Sequence, residues 1–371
     1  MTETSQVPAN DLRPKVAAHR AAIDRAIARV LDRGWFILGP EVDAFEKELA
    51  AAMGAKDAVS VANGTDALIL ALEVKGIGPG DEVITSPMSA AFSALAISRL
   101  GAIPVFGDVD PITLNLDPRT IESRITPRTR GLMPVHLYGH PADMDPIMEI
   151  ARAHNLIVVE DACQAHAARY KGRPVGSIAG IAGLSFYPTK NLGGFGDGGA
   201  ILVEDPDLAR KLRQLRNGGQ SEKYKHDTLG TNSRLDDMQA AILRELLHTL
   251  EAETSRRREI ARRYFEAFRG LPLGLPEEQS YARAVYHLFV VRHKNRAGFM
   301  AALAERGVGT LIHYPLALHL QRAYASLGGK LGDRPVVEQA ADEIVSLPIY
   351  PELTDAQVDA VIAAVKESVH V

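Results

Sequence analysis

A chain of 371 residues with 46% hydrophobic and 24% charged residues has the composition of a soluble globular protein, with room for one large and one smaller domain. Its formal net charge of -4 leaves no basic excess for gripping nucleic acid. Cys163 is the only cysteine, which excludes an internal disulfide and a cysteine-based zinc site and fits a reducing cytoplasm. Residues 1–10 are polar and lack the apolar core of a signal peptide, and no apolar run approaches the ~20 residues of a membrane span. The expectation is a cytoplasmic protein.

In chain order, residues 15–33 repeat apolar side chains at three- and four-residue steps (Val16, Ile23, Ile27, Val30) and predict an amphipathic helix. Gly34 to Leu38 form an apolar connector in which Trp35 is expected to pack, and Gly39-Pro40 opens a second helix carrying Phe45 and Leu49. A strand–helix alternation then begins. Strands are predicted at 58–61, 82–84, 103–106, 131–135, 156–159, 183–187 and 200–203. Helices are predicted at 67–74, 90–100 and 143–153, with a short one from Asp117-Pro118. This pattern implies an α/β domain with a mostly parallel, helix-covered sheet, whose ligands bind outside the carboxyl ends of the strands. One long helix is predicted over 235–268, with Arg256-Arg257-Arg258 as a solvated face. Gly270 to Pro276 interrupts the pattern. A strand (287–291), a helix (295–306), a segment around His313-Tyr314-Pro315 and a last helix from Asp355 suggest a smaller α+β unit. The expected division is residues 1–250, a large α/β domain with N-terminal helices, and residues 251–371, a smaller domain joined through the long helix.

The most informative stretch is Ser185-Phe-Tyr-Pro-Thr-Lys190-Asn-Leu-Gly-Gly-Phe-Gly-Asp-Gly-Gly199. A lysine between an apolar run and a glycine-dense loop is poorly solvated, which lowers its pKa and frees its amine as a nucleophile. Schiff-base chemistry with a carbonyl compound or pyridoxal phosphate (PLP) requires such an amine. Asp161 ends an apolar strand at the ligand edge of the sheet. It suits the cationic pyridine nitrogen of PLP, or equally a helix N-cap, since Asp161 to Gln164 has capping-box spacing. Asn63-Gly64-Thr65 joins a strand to a helix start, which makes either a phosphate site or a common N-cap turn. Gly194 to Gly199 spells the dinucleotide fingerprint G-x-G-x-x-G, but Ala200 to Val203 reads as a strand where that motif opens a helix, so a nicotinamide-dependent reading loses its support. His136 and His140 have no third ligand at metal-site spacing, and no metal is expected.

Taken together, the motifs resemble those of the DegT/StrS family of sugar aminotransferases, PLP enzymes of the aspartate-aminotransferase fold. The likeness runs through Leu38-Gly-Pro-Glu-Val, Val61-Ala-Asn-Gly-Thr-Asp-Ala-Leu68, Gly78-Pro-Gly-Asp-Glu-Val-Ile84 and Pro134 to Asp145. It continues through Val159-Glu-Asp-Ala-Cys-Gln-Ala-His166, Ser185 to Gly193, Gly196 to Ala200, Arg216 to Gln220, Asn232-Ser-Arg-Leu-Asp236 and His313-Tyr-Pro315. The resemblance implies a PLP-dependent transferase fold with a mostly parallel seven-stranded sheet. It implies Lys190 as the Schiff-base lysine that also moves the proton, Asp161 on the pyridinium nitrogen, and Gln164 near the phenolic side of the ring. Gly64, Thr65 and Ser185 would hold the phosphate, with Asn232 reaching it from the neighbouring subunit of a homodimer. Arg234, His313 and Tyr314 are candidates for substrate contacts, and His166 and His319 for the pocket. The implied reaction moves an amino group from L-glutamate to a keto sugar carried on a nucleotide, through pyridoxamine phosphate. A sugar dehydratase and a non-catalytic regulatory protein are the alternatives. The dehydratases of the family replace the lysine with histidine, and a regulatory relative needs a broken cofactor set. The chain departs from the pattern at Ala90, where an aromatic residue usually stacks on the ring; Phe92 or Met88 are the substitutes at hand. It also has Gly218 where a histidine is more usual.

Overall fold

The computed structural model describes residues 7–371. Helices Arg13–Arg33 and Pro40–Met53 open it, each with proline in its first turn, where a missing N–H costs nothing. Each ends on a left-handed glycine, Gly34 or Gly54, where a Cβ would be strained. The start of the second helix has no cap of its own. Asp237, fully buried and far along the chain, accepts the N–H groups of Gly39 (2.5 Å), Glu41 (2.8 Å) and Val42 (3.3 Å) instead.

Two four-stranded ladders form the central sheet, ordered 57–61, 199–203, 181–185, 160–161 and 103–106, 82–85, 129–133, 157–158. They meet because Ile157–Val158 and Glu160–Asp161 are one strand interrupted at Val159. The Val135–Asp161 pairing carries the sheet across, giving seven strands. All neighbours are parallel except Gly199–Val203, which runs antiparallel to both of its partners. Alternation along that strand divides the core. Ala200 and Leu202 pack with Phe45, Leu49 and Phe186 on one face; Ile201 and Val203 pack with Val59, Leu68 and Leu72 on the other. Burial on both faces explains why these strands are near-continuous apolar runs.

The second body of structure has its own core, built on the antiparallel pair Phe289–Arg292 and Ile344–Leu347 with helices Leu250–Phe268, Arg296–Glu305 and Asp355–Ser368. Val7 joins this core and pairs with Val308.

Several expectations change here. The single long helix over 235–268 is two, Asp237–Leu247 and Leu250–Phe268. At the break, the Thr249 hydroxyl donates to the Leu246 carbonyl (3.0 Å), a local bond that competes with continued helix. Trp35 does not pack: it is 56% exposed and donates its indole N–H to the Ile37 carbonyl at 2.8 Å. His319 is not a pocket residue; it is buried against Glu338 at 3.0 Å. No helix of the described residues is long and apolar enough to cross a membrane.

Candidate active site

Five of the sheet's turns open on one cavity of about 780 Å³, lined from both bodies of structure. Asn63 to Asp66 follow one strand, Ser89 to Ser93 a second, Asp161 to Gln164 a third and Ser185 to Lys190 a fourth; Asp197 precedes the antiparallel strand. His287, His313, Tyr314 and Ser346 close the other side. This is the carboxyl edge of the parallel strands, where ligands of such sheets bind.

Lys190 lines the cavity, and burial of its amine pushes its pKa below the ordinary lysine value, with Cys163 and Asp161 opposing the shift. Asp161 is buried. Its Oδ2 accepts the Ser93 hydroxyl at 2.6 Å, its Oδ1 accepts the Cys163 N–H at 3.1 Å, and Ser89 stands 2.8 Å behind Ser93. The carboxylate is thus oriented by neutral donors and, among the described residues, forms no ion pair at contact distance. Gln164 is clamped at both ends: its Oε1 accepts the Tyr138 N–H at 2.7 Å and its Nε2 donates to the Tyr314 hydroxyl at 3.1 Å. Tyr138 in turn donates to the His313 carbonyl, and the His313 ring meets Ser346 at 2.8 Å. Burial pushes the Tyr314 phenol up to about 12, so it stays protonated, and holds the His313 and His287 rings below the ordinary histidine value.

Helix Gly64–Val74 starts earlier than its apolar pattern predicts, with Gly64 and Thr65 in its first turn. Asn63 is the N-cap, its Oδ1 accepting the Asp66 N–H at 2.9 Å. The first N–H groups of the helix are left for an anion. The approach is close: a Cβ on Gly64 would lie 2.7 Å from Ser185 Cβ. An anchoring amine, a buried carboxylate held by neutral donors and a glycine-lined helix start in one cavity fit PLP. With PLP bound, the amine would hold the carbonyl carbon, Asp161 would face the ring nitrogen and the turn would receive the phosphate.

Phe92 lines the cavity at 59% exposure beside Ala90, whereas Met88 is buried among Val109, Leu137 and Val290 and does not reach it. His166 lies buried behind the site against Phe186, with neither ring nitrogen bonded. Asn232 and Arg234 do not reach the cavity of their own chain. Asn232 is exposed and pairs with Asn217, and Arg234 donates to Asn217 Oδ1 at 2.9 Å. His136 uses both ring nitrogens in the fold, one toward Glu160 (3.1 Å) and one accepting the Ala142 N–H (3.0 Å). Sequence reasoning missed Ser89, Ser93, Tyr187 and His287. Only the position of the two serines just past a strand end hinted at the first pair.

A buried carboxylate and a lysine whose amine is buried, in one cavity at the edge of a seven-stranded α/β sheet, fit a PLP enzyme of this fold. The chain belongs to the DegT/DnrJ/EryC1/StrS aminotransferase family, whose pattern it matches over residues 18–366. PLP is the cofactor of this family, and the chain is a PLP-dependent aminotransferase. It is 50% identical to the dTDP-3-amino-3,4,6-trideoxy-alpha-D-glucose transaminase of Streptomyces venezuelae, over 98% of this chain and 97% of that one. It is 47% identical to the dTDP-3-amino-3,6-dideoxy-alpha-D-galactopyranose transaminase of Aneurinibacillus thermoaerophilus, over 97% and 98% of the two chains. Among solved structures, S. venezuelae DesV in complex with a ketimine intermediate superposes with a TM-score of 0.96 at 50% identity, covering 98% of each chain.

Proposed function

We propose that this enzyme transfers an amino group from L-glutamate to a nucleotide-linked keto sugar, and that the sugar is a dTDP-linked deoxyhexose with its ketone at carbon 3. The amino-sugar role follows from the family. The carbon and carrier are drawn from the two relatives, whose names both describe dTDP-linked 3-amino sugars. The observation that carries the reading is Lys190, its amine lowered by burial, in one cavity with the oriented carboxylate of Asp161. A lysine here, rather than a histidine, disfavours the dehydratase reading.

In this reading the cofactor, when bound, supplies an electron sink for the carbon that gains or loses the amino group. Lys190 anchors it and then carries a proton at its Nζ, a task suited to an amine with a depressed pKa. Asp161, held by Ser93 and the Cys163 N–H, keeps the ring nitrogen protonated. Gln164 fixes the phenolic side, and Gly64, Thr65 and Ser185 hold the phosphate. Phe92 takes the aromatic role that Ala90 leaves open, and His313 and Tyr314 face the substrates. Asn232, exposed on its own chain, and the half-buried Arg234 serve the cavity of a neighbouring subunit in a homodimer. Residues 1–250 are the cofactor-binding unit and residues 251–371 the smaller unit that closes over it.

The test is the absorption spectrum of the purified protein with PLP, before and after L-glutamate. A visible band replaced by a near-ultraviolet one is expected, followed by return of the visible band on adding a dTDP-3-keto-6-deoxyhexose. Lys190→Ala is expected to lower turnover at least ~10³-fold. A visible band unmoved by glutamate removes the donor, return with a 4-keto but not a 3-keto sugar moves the carbon, and full turnover in Lys190→Ala ends the assignment of that residue.

A further inference from the structure

Ser233 is fully buried between Asn232 and Arg234, two residues turned away from their own cavity, yet its hydroxyl is bonded to the helix start that lines that cavity. Its Oγ accepts the Ala62 N–H at 3.1 Å and donates to Asp66 Oδ2 at 2.6 Å. Ala62 and Asp66 flank Asn63-Gly64-Thr65 on either side, so one hydroxyl ties together both ends of the turn. The Ser233 N–H also donates to the Arg216 carbonyl at 2.9 Å, and Arg216 runs back under the strand to the Ser60 carbonyl at 2.7 Å.

On the other side, Ser233 sits at the base of an arm. Asn217 and Asn232 pair, the Gly218 N–H donates to Thr231 and the Thr231 N–H to Leu215, both at 2.8 Å. The exposed hairpin Gln220–Glu222 with Lys225–His226 extends from this base. Arm and turn therefore share an anchor. A shift of either is transmitted to the other through the fully buried Ser233, whose hydroxyl bonds reach a half-buried Ala62 and a carboxylate at the cavity wall.

We infer that Ser233 is a positioning residue for two active sites at once: it sets the phosphate turn of its own chain and the arm that this chain presents to its neighbour. The inference rests on the reading that Asn232 acts across the subunit interface.

Hybrid dimers of two differently tagged chains test it. In each, one chain carries Lys190→Ala, so the only lysine able to capture PLP lies in the other. The readout is PLP fixed on Lys190 by borohydride across a range of PLP concentrations, measured by mass spectrometry. In the first hybrid Ser233→Ala is in the chain that keeps Lys190, so the working site has a weakened turn and an intact incoming arm. In the second, Ser233→Ala is in the Lys190→Ala chain, so the turn is intact and the incoming arm is weakened. Both are expected to need about tenfold more PLP than the Lys190→Ala/wild-type control, the scale of one lost hydrogen bond to a carboxylate. Ser233→Thr, which keeps the hydroxyl, is expected to restore both.

A second hybrid equal to the control overturns the coupling, and a first hybrid equal to the control overturns the positioning of the turn. A further hybrid with Asn232→Ala in the Lys190→Ala chain separates the two ideas. If it matches the control, the cross-subunit reading itself fails; if it is weakened while the second hybrid is not, only the role of Ser233 fails. Should Ser233→Ala not fold, Asp66→Ala in the Lys190→Ala chain takes its place, with weakening expected and control-like capture overturning the coupling.

Discussion

Asp161 gives one carboxylate oxygen to Ser93 and the other to the Cys163 N–H, and both donors are neutral. A positive partner therefore has an acceptor already in place, without reorganisation when it arrives. The same burial that prepares the site also sets a cost. His166 lies at 1% exposure with both ring nitrogens unbonded, and burial, with the Lys190 charge adding to it, lowers its pKa to about 3 from an ordinary 6.5. Because the folded value lies below the unfolded one, the unfolded chain binds the proton first. His166 then costs nothing well above pH 6.5, and stability falls as pH drops from 6.5 toward 3. At pH 5 the loss from this ring is about 2 kcal/mol relative to pH 7.5. His166→Phe, which replaces the ring by an apolar one against Phe186, is expected to remove that part of the acid slope. Urea denaturation of both proteins at the two pH values measures it, and an unchanged slope refutes the assignment to His166.

At the level of elements, distant side chains complete what local sequence leaves unfinished. The helix Pro40–Met53 depends for its N-terminus on Asp237, itself in the first turn of Asp237–Leu247. Asp237→Ala is expected to cost about 2–4 kcal/mol, since buried N–H groups lose their only acceptor, whereas an ordinary exposed cap is worth ~1 kcal/mol. Guanidinium denaturation of the apoprotein checks it; a loss under 1 kcal/mol means that water or a shifted carbonyl takes over. This long-range cap was invisible in the sequence, whereas the helix it caps was legible from Gly39-Pro40 and the Phe45–Leu49 spacing. The sheet was legible for a related reason: strands buried on both faces are runs of apolar residues, and every predicted one formed, shifted by at most two residues at either end except at 156–159, where the kink at Val159 divides a longer strand. The helix Pro206–Leu215 went unread although Asp205 caps it and Pro206 opens it. The break at Thr249 has neither proline nor glycine to mark it. In the site, Lys190, Asp161 and the Asn63 turn stand out because glycine density and strand ends are local features. Ser93 and His287 become neighbours of those residues only once the sheet and the second core have closed around the cavity.

For the whole molecule, the described surface is unfinished along one edge. Leu31, Trp35 (56%), Phe36 (47%) and Ile37 (41%) expose apolar side chains in one stretch of chain, far more than a connector needs. That stretch is joined to the arm: Ile37 pairs with Asp236, and the Asp237 N–H donates to the Phe36 carbonyl at 2.9 Å. Asn232 and Arg234, on either side of the buried Ser233, therefore lie beside an apolar strip, and a second copy seated on the strip would be well placed to receive Asn232. Covering the strip and completing the site would then be one event. The same contact would account for Trp35, which was expected to pack and instead stands 56% exposed on the described surface of its own chain. Phe36→Glu puts a charge on the strip without touching the cavity or the Asp237 cap. The expected result is a shift from dimer to monomer in sedimentation velocity at micromolar concentration. Transaminase activity is expected to fall at least tenfold and to recover as protein concentration rises, because mass action restores the pair. A variant that stays dimeric and active would place the interface elsewhere. One that becomes monomeric yet keeps full activity would show that each chain completes its own site, and Asn232 would lose its role across the interface.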